Sequence, residues 1–244
     1  MQIPFLDPAN PQFPDPETAL ADPDGLLAVG GNLAPQTLLK AYRSGIFPWF
    51  DRDPILWWSP SERAVIPPLE LHLSRSMRKV LKQSSFSVTL NQNFSAVIAA
   101  CAAPRGDQGT WITPQMQRAY AELHRLGYAQ SIEVWQGGNL VGGLYGLSVG
   151  TIFCGESMFN RIANGSKIAL FHLAWWCHVA GFRYIDCQLE NPHLSSLGVP
   201  CITRRDFLRL LSENSVDLSA GATAASPKLC SVPIDWSQAS LKFG

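Results

Sequence analysis

From Gln130 to Phe159 apolar and polar residues alternate with a period of two. The runs "QSIEVW", "LVGGLYGLSV" and "GTIFCGESMF", the first two joined by "QGGN", predict a three-stranded antiparallel meander. Elsewhere the spacing is helical. Pro35 opens a helix with Leu38, Leu39 and Tyr42 on one face and Gly45 after it. Ser74 caps a basic helix running to about Gln83, and strand "SFSVTL" follows. Asn91 is the predicted cap of "QNFSAVIAACA", and Thr113-Pro114 opens "PQMQRAYAELHRL", which Gly127 ends. After the meander come a helix over 166–178, strand "RYIDCQ" and a capped helix from Thr203. "ILWWS" and "AVI" read as short strands. The first 30 residues, rich in Pro and Asp, read as extended chain laid on a surface, and the tail from Ser215 as a loose, partly docked extension. This order predicts an α/β (α+β) layer fold with a mixed central sheet.

The chain has 244 residues, 46% of them hydrophobic, enough for a sizeable core in one large domain or one plus a small lobe. No run approaches the roughly 18 apolar residues of a membrane span, and "MQIPFLDPANPQFPDPE" has no signal-peptide pattern. Six scattered cysteines without a CxxC read as reduced thiols of a cytosolic protein. Charge is balanced overall but not locally. Residues 1–62 carry three basic and eight acidic side chains, the remainder sixteen and eleven. Arg75, Arg78, Lys79 and Lys82, with Arg63 nearby, form the sharpest basic cluster, readable as a nucleic-acid patch or as a solvated helix face.

Several chemistries are excluded. The glycines at 137–150 lack the Lys-Ser/Thr and the following helix of a phosphate loop. They mark bulges or a close backbone approach instead. The five histidines have no metal-ligand spacing, and "GESMF" lacks the second glycine of a serine-hydrolase elbow. Two polar clusters remain at strand ends. Glu156-Ser157, followed by Asn164 and Lys167, sits among apolar residues, so Glu156 lies on an exposed turn or meets a cation. Asp186 and Gln188 alternate along "YIDCQ" and share a strand face. They orient a substrate, or Asp186 is structural, capping a helix or pairing with Arg183 or Arg204. Of the aromatics in "GIFPWF", "ILWWSP" and "GTWIT", Trp49 and Trp111 lie beside turns and suit base stacking. Most of Phe47, Trp49, Phe50, Trp57 and Trp58 read as a small aromatic core.

The blocks "GLLAVGGNL", "AYRSGIFPWF", "ILWWSP", "HLSRSMRK", "GTWIT", "AYAELHRLG", "SIEVW", "LVGGLYGL", "GTIFCGESMF" and "IDCQ" resemble, in order, the bacterial leucyl/phenylalanyl-tRNA–protein transferases. The resemblance implies a small N-terminal lobe, residues 1–62, and an acyl-CoA N-acyltransferase-like catalytic domain, residues 63–244. It implies transfer of Leu or Phe, less readily Met, from its tRNA to an N-terminal Arg or Lys. That transfer marks the acceptor for N-end rule degradation. The partners it implies are leucyl-, phenylalanyl- and methionyl-tRNA and proteins with N-terminal Arg or Lys. The enzyme is then a cytoplasmic monomer off the membrane, with no cofactor or metal.

By the same resemblance Asp186, Gln188 and Glu156 are catalytic. Leu144, Phe153, Met158, Leu170, Leu173 and Cys177 form the side-chain pocket. Tyr42, Trp49, Trp111 and Asn191 hold the tRNA 3′ end, and Arg75, Arg78 and Lys79 the acceptor stem. The chain departs from the family pattern at Leu144, Leu173 and Cys177, where relatives often have Met or Phe, and at Asn160 and Gly165. For the chemistry itself, the expectation is that Asp186 orients and polarises Gln188, whose carbonyl accepts a hydrogen bond from the attacking amine. Glu156 then receives the acceptor's basic side chain, a visiting cation. Strict alternation puts Phe153 and Met158 on opposite faces, so a shared pocket needs a bulge at Gly155.

Overall fold

The computed structural model describes residues 3–83, 85–103, 110–214 and 227–243. β1 (Phe5–Leu6), β2 (Leu26–Gly30), β3 (Phe47–Pro48) and β4 (Leu56–Trp58) form one sheet in the order β1-β2-β4-β3. A second sheet contains β5 (Glu62–Ile66), β6 (Ser87–Leu90), β7 (Ala129–Gln136), β8 (Asn139–Val149), β9 (Ile152–Asn160), β10 (Tyr184–Gln188) and β11 (Cys201–Thr203). Its order is β11-β5-β10-β9-β8-β7-β6; β9 and β10 run parallel, and every other neighbouring pair is antiparallel. The predicted meander is β7-β8-β9, and the mixed α/β sheet is as anticipated.

Helix α1 (Pro35–Arg43) follows β2, and α2 (Arg75–Leu81) starts where the Ser74 hydroxyl accepts the Met77 N–H. Asn91 is not the cap of α3 (Phe94–Ala102). Asn93 accepts the Ala96 N–H there. Asn91 instead turns in the left-handed region, φ 59°, and its amide oxygen accepts the Ser131 N–H at 2.9 Å, a task two residues too early for a cap. Thr113 caps α4 (Pro114–Arg125), and α5 (Gly165–Ala180) runs slightly longer at both ends than its pattern indicated. Next come α6 (Pro192–Ser195), α7 (Arg204–Asn214) and, in the tail, α8 (Trp236–Ala239). Residues 215–226 of the predicted loose tail lie outside the described residues.

The opening segment is more ordered than its composition indicates. "LLAVG" is β2, a short apolar run buried almost throughout, with the signature of a covered strand rather than an alternating one. Phe47, Phe50 and Trp57 are buried as the predicted aromatic core, whereas Trp49 is 40% exposed.

Two apolar layers sandwich the larger sheet. Tyr145, Cys154 and Val65 face the layer containing residues of α1, α3, α4 and α7, while Leu144, Phe153 and Ile185 face α5. Successive residues thus point to opposite layers. The strand glycines serve close approach, as anticipated: a Cβ on Gly142 would lie 2.6 Å from the Gly165 carbonyl carbon, where α5 begins.

Candidate active site

The site is built by two interruptions in adjacent strands. On β9, Gly155 pairs with Gly146 but Ser157 pairs with Tyr145, so Glu156 is an extra residue. That bulge returns Phe153 and Met158 to the same apolar layer, resolving the conflict with strict alternation. On β10, the register shifts between Asp186 and Gln188, and Gln188 has φ 64°. The parallel ladder of β9 and β10 stops at Cys154–Asp186. Past that point a side-chain bond joins the strands: Gln188 Nε2 donates to Glu156 Oε1 at 2.8 Å.

Glu156 does not lie on an exposed turn, which corrects that reading, and the partners the fold itself gives it are neutral donors rather than a resident cation. It is 9% exposed and is satisfied by neutral donors. The Tyr42 hydroxyl donates to Oε1 at 2.7 Å and the Tyr120 hydroxyl to Oε2 at 2.9 Å. Burial pushes its pKa up, the three donors pull it back, and the result is about 7. Proton counting gives the same picture. Tyr42 and Tyr120 also contact each other through their hydroxyls, so three oxygen–oxygen contacts share two protons when Glu156 is ionised. A proton on Glu156 completes the ring. Burial and the Glu156 charge hold both phenols well above their ordinary range.

Asp186 is fully buried, and its partner is neither Arg183 nor Arg204. Arg183 reaches the Asn214 side chain, and Arg204 the carbonyls of Ser59 and Pro60. The partner is Arg63, whose Nε and Nη2 donate to the two carboxylate oxygens at 2.8 Å each. Arg63 is 2% exposed, lies between the rings of Phe47 and Phe207, and donates Nη1 to the Gly45 carbonyl. It is therefore no part of a surface patch. Burial works against its charge, and Asp186 overcomes that, leaving its pKa raised. Asp186 Oδ1 also accepts the Gln188 backbone N–H at 2.9 Å. Asp186 thus fixes the backbone of Gln188, while Glu156 fixes its side chain. With the register shift between them, the two residues do not share one face as simple alternation had it.

Two cavities flank the bulge, and Ser157 lines both. One, about 480 Å³, is walled by Trp49, Trp58, Trp111, Leu56, Asp51 and Cys101 among others. The other, about 420 Å³, has Leu144, Met158, Leu170 and Leu173 at its apolar part and Glu156, Asn191 and His193 at its polar part. Phe153 and Cys177 do not line it; they are buried in the cluster that supports it. Tyr42 is 1% exposed, so it has no ring face to offer a nucleoside and contributes its hydroxyl alone. Asn191 also caps α6 by accepting the Leu194 N–H. Arg75 and Lys79 are exposed on α2, with Arg78 half-buried, and line neither cavity.

Sequence reasoning missed Arg63 as a structural cation and Tyr120 as a donor. The available signals were an arginine leading the apolar strand "AVI" and a polar-tipped residue in the buried stripe Met116, Tyr120, Leu123. Among the described residues no helix is long and apolar enough to cross a membrane, and no group of three or more His, Cys, Asp or Glu is placed to hold a metal ion.

The family models and the curated relatives agree. The family model described as leucyl/phenylalanyl-tRNA protein transferase matches residues 65–212, and the model for that family's N-terminal domain matches residues 31–61. A leucyl/phenylalanyl-tRNA–protein transferase of Shewanella baltica (strain OS155) is 54% identical over 224 residues, covering 90% of this chain and 94% of the relative. One from Shewanella halifaxensis is 55% identical over 210 residues, 85% and 89% of the two chains. Among solved structures, a GCN5-related N-acetyltransferase-like protein from Streptococcus suis is 13% identical with a TM-score of 0.31, over 67% of this chain and 60% of that one. The two models together match most of the chain and the relatives are covered nearly end to end, and on these matches the chain belongs to the leucyl/phenylalanyl-tRNA–protein transferase family.

Proposed function

We propose that the chain transfers Leu or Phe, and less readily Met, from aminoacyl-tRNA to the N-terminal Arg or Lys of an acceptor protein, marking that protein for degradation. The observation that carries the reading, beside family membership, is the pair of cavities meeting at Ser157 next to the Glu156–Gln188 bond. In it, the apolar cavity takes the aminoacyl side chain. The aromatic cavity, with Trp49 and Trp111, takes the tRNA 3′ nucleoside, and Arg75, Arg78 and Lys79 meet the acceptor stem. The protein works as a cytoplasmic monomer, with residues 1–62 as a lobe before the catalytic domain of residues 63–244.

The donor is an ester, so acyl transfer runs downhill to an amide once a neutral amine is in place. An α-amino group has a pKa near 8, so about a tenth is free base at neutral pH. The amine nitrogen bonds to the ester carbonyl carbon, the bond to the ribose oxygen breaks, and one proton passes from nitrogen to that oxygen. An ionised Glu156 needs the NH₂ edge of Gln188, which leaves the Gln188 carbonyl oxygen to accept from the incoming amine. Glu156, with its pKa at about 7, is suited to take the proton and return it. Asp186 acts as a positioning residue through the Gln188 backbone. Among the described residues, Glu156 in one cavity and Asp51 in the other are the acidic side chains lining them, and they are the candidates for the acceptor's cationic side chain.

Purified protein incubated with phenylalanyl-tRNA and a peptide beginning with Arg tests the reading. Labelled Phe appears on the peptide if it holds; binding without transfer, or acetylation from acetyl-CoA, refutes it.

A further inference from the structure

α5 is apolar almost all round, and from Ile168 to Ala174 every residue is buried. A helix of that kind needs cover on both sides. One side faces the sheet, and there Leu170 and Leu173 line the smaller cavity. At helical spacing, Phe171, His172 and Trp175 point away from Leu170, and Trp176, four residues after His172, lies at the edge of that outer face. The chain's own C-terminal segment, residues 227–243, packs on that outer face, with the Phe86 ring also edge-on to His172.

The contacts there are directional as well as apolar. The Trp176 indole N–H donates to the Val232 carbonyl at 3.0 Å, and the Trp236 indole N–H donates to His172 Nε2 at 3.3 Å. An indole can only donate, so His172 Nε2 is the unprotonated nitrogen and Nδ1–H donates to the Ile168 carbonyl at 2.8 Å. Burial fits this by lowering the imidazole's pKa to about 4. The Phe243 ring packs edge-on against Phe171, and Trp236 is 7% exposed.

We propose that residues 227–243 act as the outer wall of the aminoacyl cavity: Trp236 clamps α5 through His172, holds Leu170 and Leu173 in place, and so sets the balance between Leu and Phe as donors. Interiors are close-packed and transmit displacement, so a gap opened behind a helix loosens the face in front of it. A loosened wall admits the bulkier ring more readily. The inference rests on the transferase reading above.

The test is competitive transfer from leucyl- and phenylalanyl-tRNA to an Arg-peptide by wild type, W236A and W236F, at a temperature where circular dichroism shows each folded. W236A moves the Phe/Leu ratio of kcat/KM toward Phe by about threefold or more, the scale of a small change in an apolar pocket. W236F keeps a ring in place and stays near wild type. If W236A does not fold, W236L takes its place in the same comparison, with the same shift expected. A ratio that is unmoved or moves toward Leu in the folded variant overturns the proposal and leaves the tail a mere source of stability. If wild type transfers neither amino acid, the transferase reading fails and this inference falls with it.

Discussion

Replacing Arg63 with methionine removes the cation of a pair with 2% and 0% of its side chains exposed, and leaves the Asp186 carboxylate in the core. Deleting one partner of a buried pair costs about 3–5 kcal/mol, because the remaining charge loses both its Coulombic partner and its hydrogen bonds. Here two 2.8 Å bonds go at once, together with the bond to Gly45 and the stacking on Phe47 and Phe207. The upper half of that range is therefore anticipated. For a chain of this size it lowers Tm by about 8–20 °C. Urea unfolding followed by tryptophan fluorescence measures it, with D186N as the complementary single variant. Making both sites apolar (R63M/D186L) removes the stranded charge and recovers most of the loss, since well-packed apolar replacements of buried pairs are near neutral or stabilising. A loss below about 1 kcal/mol for R63M, or a double variant as unstable as the sum of the singles, refutes the reasoning.

Three further outcomes follow from the same network. Glu156 has a folded-state pKa of about 7 against 4.5 for the free side chain, so its neutral form favours folding. The favourable contribution is full below pH 4.5 and is lost as pH rises to about 7, roughly 3 kcal/mol in all. E156Q flattens that slope in denaturant titrations across pH, and an unchanged slope contradicts the assignment. Y120F removes one donor from the carboxylate, costs about 1.5–3 kcal/mol, and raises the pH at which transfer becomes Glu156-dependent; a pH–rate profile identical to wild type speaks against the shared-proton ring. W49A raises the KM for aminoacyl-tRNA by about tenfold with kcat little changed, the scale of one lost base stack, and a kcat loss without a KM change would place the nucleoside elsewhere.

Much of the frame is legible in the sequence because local patterns carry it. The meander, the capping at Ser74 and Thr113, and the bulge in β9 each follow from period, cap chemistry or a conflict between faces. Asn91 and Asn93 are equally good cap residues, and what separates them is a contact to Ser131 from 40 residues away. The charge network at the site is non-local in the same way. Arg63 meets Asp186 across 123 positions, and Tyr42 meets Glu156 across 114, so no window along the chain contains the pairing. Glu156 shows the limit most clearly. Its oddness among apolar neighbours is visible, but its remedy, two phenols and an amide rather than a cation, is a property of the folded neighbourhood.

The extra residue in β9 has a consequence for how this chain tolerates length changes. Shortening the strand by Glu156 would let Gly155 and Ser157 pair with Gly146 and Tyr145 in unbroken register, with Met158 still opposite Leu144. The shortened protein keeps both apolar layers and the regular ladder, at the cost of the acceptor shared by Tyr42, Tyr120 and Gln188. It would also be chemically blank, since the carboxylate that holds the Gln188 side chain goes with the deletion. At this point in the sheet the most regular architecture and the working one differ by a single codon.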